Sequence, residues 1–185
     1  MELGRVVIRG VLGPLFIGHG TQKLFGWFQG HGLEGTGGFF ESLGLRPGRR
    51  HATAAGVAEA TGGALLTLGA LTPLASTLIS GTMITAIRKA HAKNGPWVTN
   101  NGYEYPLVIA AAMLAIAEAG PGRPSVDHAA FPRLKGTGWA VAQLAAAGVG
   151  SALATSPRFT APEEEAALEH PRRFVREPER EPAAR

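Results

Sequence analysis

Apolar residues in this chain run in blocks. Five blocks stand out: residues 4–27, 52–71 (ATAAGVAEATGGALLTLGAL), 73–91 (PLASTLISGTMITAI closed by the basic RKAHAK), 105–120 (YPLVIAAAMLAIAEAG) and 138–155 (GWAVAQLAAAGVGSALAT). A helix that crosses a bilayer needs about 20 mainly apolar residues, whereas a helix on a soluble core shows a polar stripe at period 3.6. The blocks mostly lack that stripe. They are also rich in glycine, which weakens soluble helices but lets helices approach closely in lipid. The pattern predicts an all-α integral membrane helical bundle of four to five spans, with 105–120 short enough to tilt or lie buried. The first block flows into HGTQK and GWF with no small-x-small cleavage site nearby, so it is expected to be a retained span and not a signal peptide.

Length and charge refine this picture. At 185 residues there is room for one compact unit and a tail. The near-zero mean hydropathy hides a segregation: seven of the fourteen acidic residues and six of the eighteen Lys/Arg fall in the last 30 positions. Residues 1–155 are therefore expected to form the bundle and 156–185 a charged, mobile tail. The basic residues sit beside apolar runs and are not interleaved with aromatics, which is the pattern of membrane loops and not of a nucleic-acid surface. Numbering the two sides by the spans, side B receives the end of the first block. It carries Arg46, Arg49, Arg50, Arg88, Lys89, Lys93 and the tail, against Arg5, Arg9, Arg123, Arg133 and Lys135 on side A. The excess on B predicts a multi-pass plasma-membrane protein with basic loops and tail in the cytoplasm.

Two chemistries drop out. With no cysteine, disulfides, thiolate catalysis, Cys-ligated zinc, iron–sulfur clusters and covalent c-type haem are excluded, and no metal site is expected. GHGLEG at 30–35 matches G-x-G-x-x-G, but an apolar helix precedes it where the dinucleotide fold needs a strand. A flexible or interfacial loop anchored by Phe39 and Phe40 is the expectation there.

The informative residues are the polar ones inside the blocks, because intramembrane ionisable groups cost about 2.5–3.5 kcal/mol each on insertion scales. His19, Gln22 and Lys23 fall at i, i+3 and i+4 on one helical face. Glu59 lies between Gly56 and Gly62-Gly63, and a carboxylate at that depth must be protonated or paired, with Lys23 or Arg88 as the natural partner. Thr82, Thr85, Arg88 and Lys89 continue one stripe, with His91 and Asn94 beyond it, and Tyr103, Glu104 and Tyr105 open the fourth block. His19 lies eight residues before Trp27, about 12 Å along a helix. Alternating helix direction brings all of these towards side B, so the sequence predicts a pocket of His19, Gln22, Lys23, Glu59, Thr85, Arg88, His91, Asn94, Glu104 and Tyr105. The A half is expected to be nearly bare apart from Glu118 and Gln143. Lys23, Arg88 and Lys89 taken singly also fit snorkelling residues, and a Glu59 pair also fits a purely structural clasp.

The stretches GHGTQKLFGWF, GFFESLGL, GVAEATGG and IRKAHAKNGPW followed by NNGYEYPL resemble, in order, the DoxX family of small integral membrane proteins. The resemblance covers about 3–120; the fifth block and the tail extend past the family's four-helix core. It implies a four-helix membrane bundle, relatives tied to quinone-linked membrane oxidoreductases and redox stress, and motif positions at His19, Gly20, Lys23, Glu59, His91, Asn94, Gly95 and Glu104. Three functions follow as expectations. The first is a membrane subunit of a quinone-linked oxidoreductase, with a quinone such as menaquinone in the B-side pocket and electrons supplied by a partner. The second is a non-catalytic anchor or scaffold for soluble redox enzymes. The third is a small-solute carrier, against which the lack of internal repeats counts. The bilayer is the expected partner in all three, and no nucleic acid is expected.

Overall fold

The computed structural model describes residues 2–160. Among them are seven α-helices and no strand: α1 (Leu3–Phe25), α2 (Gly32–Ser42), α3 (Gly48–Leu68), α4 (Thr72–Ala86), α5 (Glu104–Ala119), α6 (Val126–Ala130) and α7 (Thr137–Ala154). The five long helices lie on the five apolar blocks. After Ala86 the chain loosens into a π-helical turn, Ile87–His91, and then crosses back through a loop to α5. The mobile tail expected for 156–185 falls outside the described residues from 161 onward. Within the described part, the Phe159 carbonyl lies 3.1 Å from His51 Nε2 and the Phe159 ring lies under the Arg50 guanidinium, holding this stretch against the start of α3.

α1 and α3 run antiparallel and almost backbone to backbone. A Cβ on Gly20 would lie 2.6 Å from the Gly56 carbonyl oxygen, and one on Gly63 would lie 2.6 Å from the Gly13 carbonyl oxygen. Glycines seven residues apart on both helices therefore interlock, as small residues do where helices meet closely. α3 turns into α4 through Gly69, whose φ of 62° is easy only for glycine. α4 is the central helix, packed by α3, α5 and α7. It runs parallel to α7, because Gly81 faces Ala147 and Thr85 bonds to Ser151. The apolar core is small: Phe16, Leu66, Ala75, Ile79, Ile109, Met113 and Ile116.

One expectation needs correction. The glycine-rich stretch after Trp27 is not a loop but helix α2, despite Gly32, Gly35, Gly37 and Gly38. The low helix propensity of glycine is overridden by tertiary contact: the backbone of Gly37 lies so close to that of Gly48 and Arg49 that a Cβ would be 3.0 Å from the Arg49 amide. Further, no helix among the described residues is long and apolar enough to cross a membrane. α1 carries Arg5, Arg9 and Lys23, α3 carries Arg49, Arg50 and Glu59, and α4 and α5 have only 15 and 16 residues. The apolar blocks of the sequence reach span length partly by running through their turns.

Candidate functional site: a buried ion pair and its neighbours

Of the ten residues predicted to share a pocket, Glu59 alone is buried. It sits on the α1-facing side of α3, one turn after Gly56, where the glycine contact brings α1 close enough for Lys23 to reach it. Lys23 Nζ donates to Glu59 Oε2 at 2.6 Å, with the Lys side chain 22% exposed and the Glu side chain 6%. The sequence left Lys23 and Arg88 as alternatives; the structure pairs Glu59 with Lys23. Lys23 also lies 3.5 Å from the His19 carbonyl oxygen, which leaves its third N–H uncommitted.

His19 and Gln22 lie beside this pair on the outer face of α1. The Gln22 amide nitrogen donates to the Phe28 carbonyl at 3.2 Å, so its oxygen is turned to His19 Nδ1, 3.2 Å away. That bond requires the proton on Nδ1, and the neutral ring then offers a free Nε2 lone pair on an exposed surface. The Phe25, Trp27 and Phe28 rings follow just beyond, the first two tilted against each other and the last two edge-to-face, all exposed.

The other predicted residues form two separate groups. Thr85 Oγ1 and Arg88 Nη1 both meet Ser151 Oγ, at 3.0 and 3.1 Å, which ties α4 to α7. His91 Nδ1 and Asn94 Nδ2 both donate to the Asn101 carbonyl, at 2.7 and 3.1 Å, and Glu104 Oε2 accepts the Val98 amide at 2.9 Å. These three side chains build the 92–103 loop, and Tyr105 is exposed at its end. No group of three or more His, Asp or Glu among the described residues is placed to hold a metal ion.

The A half is not bare. Arg9, 4% exposed, donates to the Pro124 carbonyl at 2.6 Å and lies 3.4 Å from that of Thr67. Asp127, 2% exposed, accepts the Leu71 and Thr72 amides at 2.7 and 2.8 Å and the Thr72 hydroxyl at 2.6 Å. Here a carboxylate caps the start of α4 and a guanidinium closes the end of α3 on opposite sides of the Gly69 turn. Neither residue was singled out from sequence, because Arg9 resembled a flanking positive charge and Asp127 lay in a connection between blocks. The one available signal was PSVDH, whose Ser125 hydroxyl accepts the His128 amide at 3.2 Å and starts α6. A small cleft lined by Arg5, Ala119, Asp127, His128 and Lys135 opens at this end.

The site and fold define an all-helical bundle whose helices meet through small residues and are fastened at each end by buried charge. The DoxX family model matches residues 4–92, which span α1 to the π-helical turn and include the Lys23–Glu59 pair. That segment, just under half of the chain, is where the sequence is similar to the DoxX family. No curated protein and no solved structure matches the chain.

Proposed function

We propose that this chain is a lipid-embedded subunit of a quinone-linked membrane oxidoreductase, and that the outer side of the α1–α3 pair receives the quinone head group. Membrane residence is supported by the distribution of side chains. Large apolar residues point outward at four-residue steps on α1 (Leu3, Val7, Val11, Leu15) and along α7 (Val141, Leu144, Val149, Leu153), while the closest helix contact, between α1 and α3, is made by glycines. A surface this apolar needs lipid or a partner to cover it, and members of the DoxX family are typically membrane-associated. The basic residues around the start of α3 and the π-helical turn favour that end as cytoplasmic.

The observation that carries the quinone reading is the buried Lys23–Glu59 pair beside the exposed His19–Gln22 pair. A quinone head group accepts hydrogen bonds at its carbonyls when oxidised and donates from its hydroxyls when reduced. Lys23 has a spare donor and His19 Nε2 a spare acceptor, on a face that a lipid-soluble molecule such as menaquinone reaches sideways from the bilayer. Glu59 supplies a carboxylate next to Lys23 for proton exchange. The bound quinone supplies the redox chemistry, and a partner enzyme supplies the electrons. The test is purification in mild detergent with native partners, followed by solvent extraction. Co-purifying menaquinone, lost on Glu59→Gln together with quinone-dependent activity, is the expected result. Absence of any bound quinone, with activity untouched by Glu59→Gln, overturns it.

A second reading has one observation in its favour. Arg49 and Arg50 are exposed side by side where the 156–160 segment docks, a ready surface for an acidic soluble enzyme. An anchor of that kind loses complex formation when Arg46, Arg49 and Arg50 are reversed in charge, whatever residue stands at 59.

A further inference from the structure

The chain leaving α1 folds back around one residue, Gln22. The Gln22 backbone carbonyl accepts the Gly26 amide at 3.2 Å, and its side-chain nitrogen donates to the Phe28 carbonyl at 3.2 Å. Gly30 comes down so closely on the same residue that a Cβ there would lie 2.6 Å from Gln22 Cα and Cβ. To bring these groups together Phe28 and Gln29 take left-handed backbone angles, φ 50° and 63°, although neither is glycine. Such angles are costly for residues with a Cβ and persist where surrounding contacts impose them.

This grip decides which way the Gln22 amide faces. A carbonyl can only accept, so the Phe28 carbonyl fixes the amide nitrogen on its own side and turns the amide oxygen to His19 Nδ1, 3.2 Å away. The amide oxygen can only accept in its turn, and it places the His19 proton on Nδ1. An imidazole free in water carries its proton mainly on Nε2, so the arrangement reverses the ring's own preference. A second contact braces the ring: the buried Phe16, on the same helix, meets it edge-on with centroids 6.0 Å apart and planes at 61°.

We propose that Gln22 is a positioning residue which, by locking the His19 proton on Nδ1, makes Nε2 an acceptor and sets the site for the reduced, hydroxyl-bearing form of the head group. The ligand preference rests on the quinone reading above, whereas the lock rests on the Gln22 contacts alone. An acceptor at Nε2 takes a hydrogen bond from a quinol hydroxyl, and the carbonyl of an oxidised quinone has no hydrogen to offer it. The opposite tautomer would serve the oxidised form, with Nε2–H donating to its carbonyl. Lys23 does not discriminate, because carbonyl and hydroxyl oxygens both accept. The choice between oxidation states therefore falls to His19, and Gln22 makes it without having to touch the ligand.

The test is nitrogen NMR of the full chain in detergent micelles, isotopically labelled at histidine, in alkaline buffer without oxygen, with the His19 signals identified by their loss in His19→Asn. Wild type is expected to show a protonated Nδ1 and a bare Nε2. Gln22→Leu is expected to move the proton to Nε2, and Gln22→Glu, whose carboxylate still accepts from Nδ1, to keep it on Nδ1. Menadiol and menadione, the reduced and oxidised forms of one naphthoquinone head group, are then titrated against the same signals. Wild type is expected to favour menadiol, and Gln22→Leu to lower that preference about 2–10-fold, the worth of one neutral hydrogen bond, with Gln22→Glu retaining it. A wild-type His19 protonated on Nε2 overturns the proposal, with or without folded variants. Protonation of Nδ1 that survives Gln22→Leu, or a preference that Gln22→Leu leaves unchanged, also overturns it. A wild type that binds neither compound while His19 is protonated on Nδ1 overturns the quinone reading and the ligand preference with it, and leaves the lock standing.

Discussion

Replacing Lys23 by Met removes the partner that a buried carboxylate has among the described residues, while keeping most of the length of the side chain. Breaking a buried ion pair from one side costs about 3–5 kcal/mol, because the remaining charge is left without compensation. Glu59 meets that description at 6% exposed, but Lys23 is 22% exposed and water reaches its end of the pair. The expected loss for Lys23→Met is therefore about 2–4 kcal/mol. The double variant Lys23→Met/Glu59→Met removes both charges and fills similar volume, so it is expected within about 1 kcal/mol of wild type or above it. The close approach of Gly20 to Gly56 limits the relaxation by which α1 and α3 could move apart to let water in. Unfolding in mixed micelles, followed by helical circular dichroism for all four members of the cycle, gives the coupling directly. A coupling below about 0.5 kcal/mol would mean that the two side chains act independently and would refute the reasoning.

Gly63→Ala sets a Cβ against the Gly13 carbonyl and the Ile17 amide, backbone atoms that cannot swing aside; a loss of about 1–3 kcal/mol in the same unfolding assay is expected. Asp127→Ala strips the acceptor from two amides and the Thr72 hydroxyl, and a loss of at least about 3 kcal/mol is expected, with Asp127→Asn recovering part of it. His51 lies at the start of α3, outside the apolar block 52–71. Burial pushes its imidazole below the usual range, against the opposing bonds to the Phe159 and Arg46 carbonyls and with help from Arg50 and Lys89. A depressed histidine favours the neutral ring in the folded state, so its contribution is complete above about pH 6.5 and is eroded as pH falls below that value. His51→Gln is expected to flatten that acid-side slope of stability against pH, and an unchanged slope would refute the assignment.

The sequence alone determined that the chain is helical and where its long helices lie, because apolar blocks bounded by Gly, Pro and charge leave few other structures for the backbone. It also singled out Glu59 as a residue needing a partner, since a carboxylate flanked by small residues has nowhere to reach water, and it named Lys23 among two candidates. Only the tertiary structure decided between Lys23 and Arg88, because the choice depends on how closely α1 and α3 approach through their glycines. The same holds for α2: four glycines argue against a helix locally, and contact with Gly48 and Arg49 reverses the balance. Side-chain direction was equally invisible in one dimension. His91, Asn94 and Glu104 share an end of the bundle with Lys23, as depth counting indicated, yet their polar atoms close their own loop. Arg9 and Asp127 close the Gly69 turn from positions more than a hundred residues apart, and hydrophobic periodicity carries no information about such an approach.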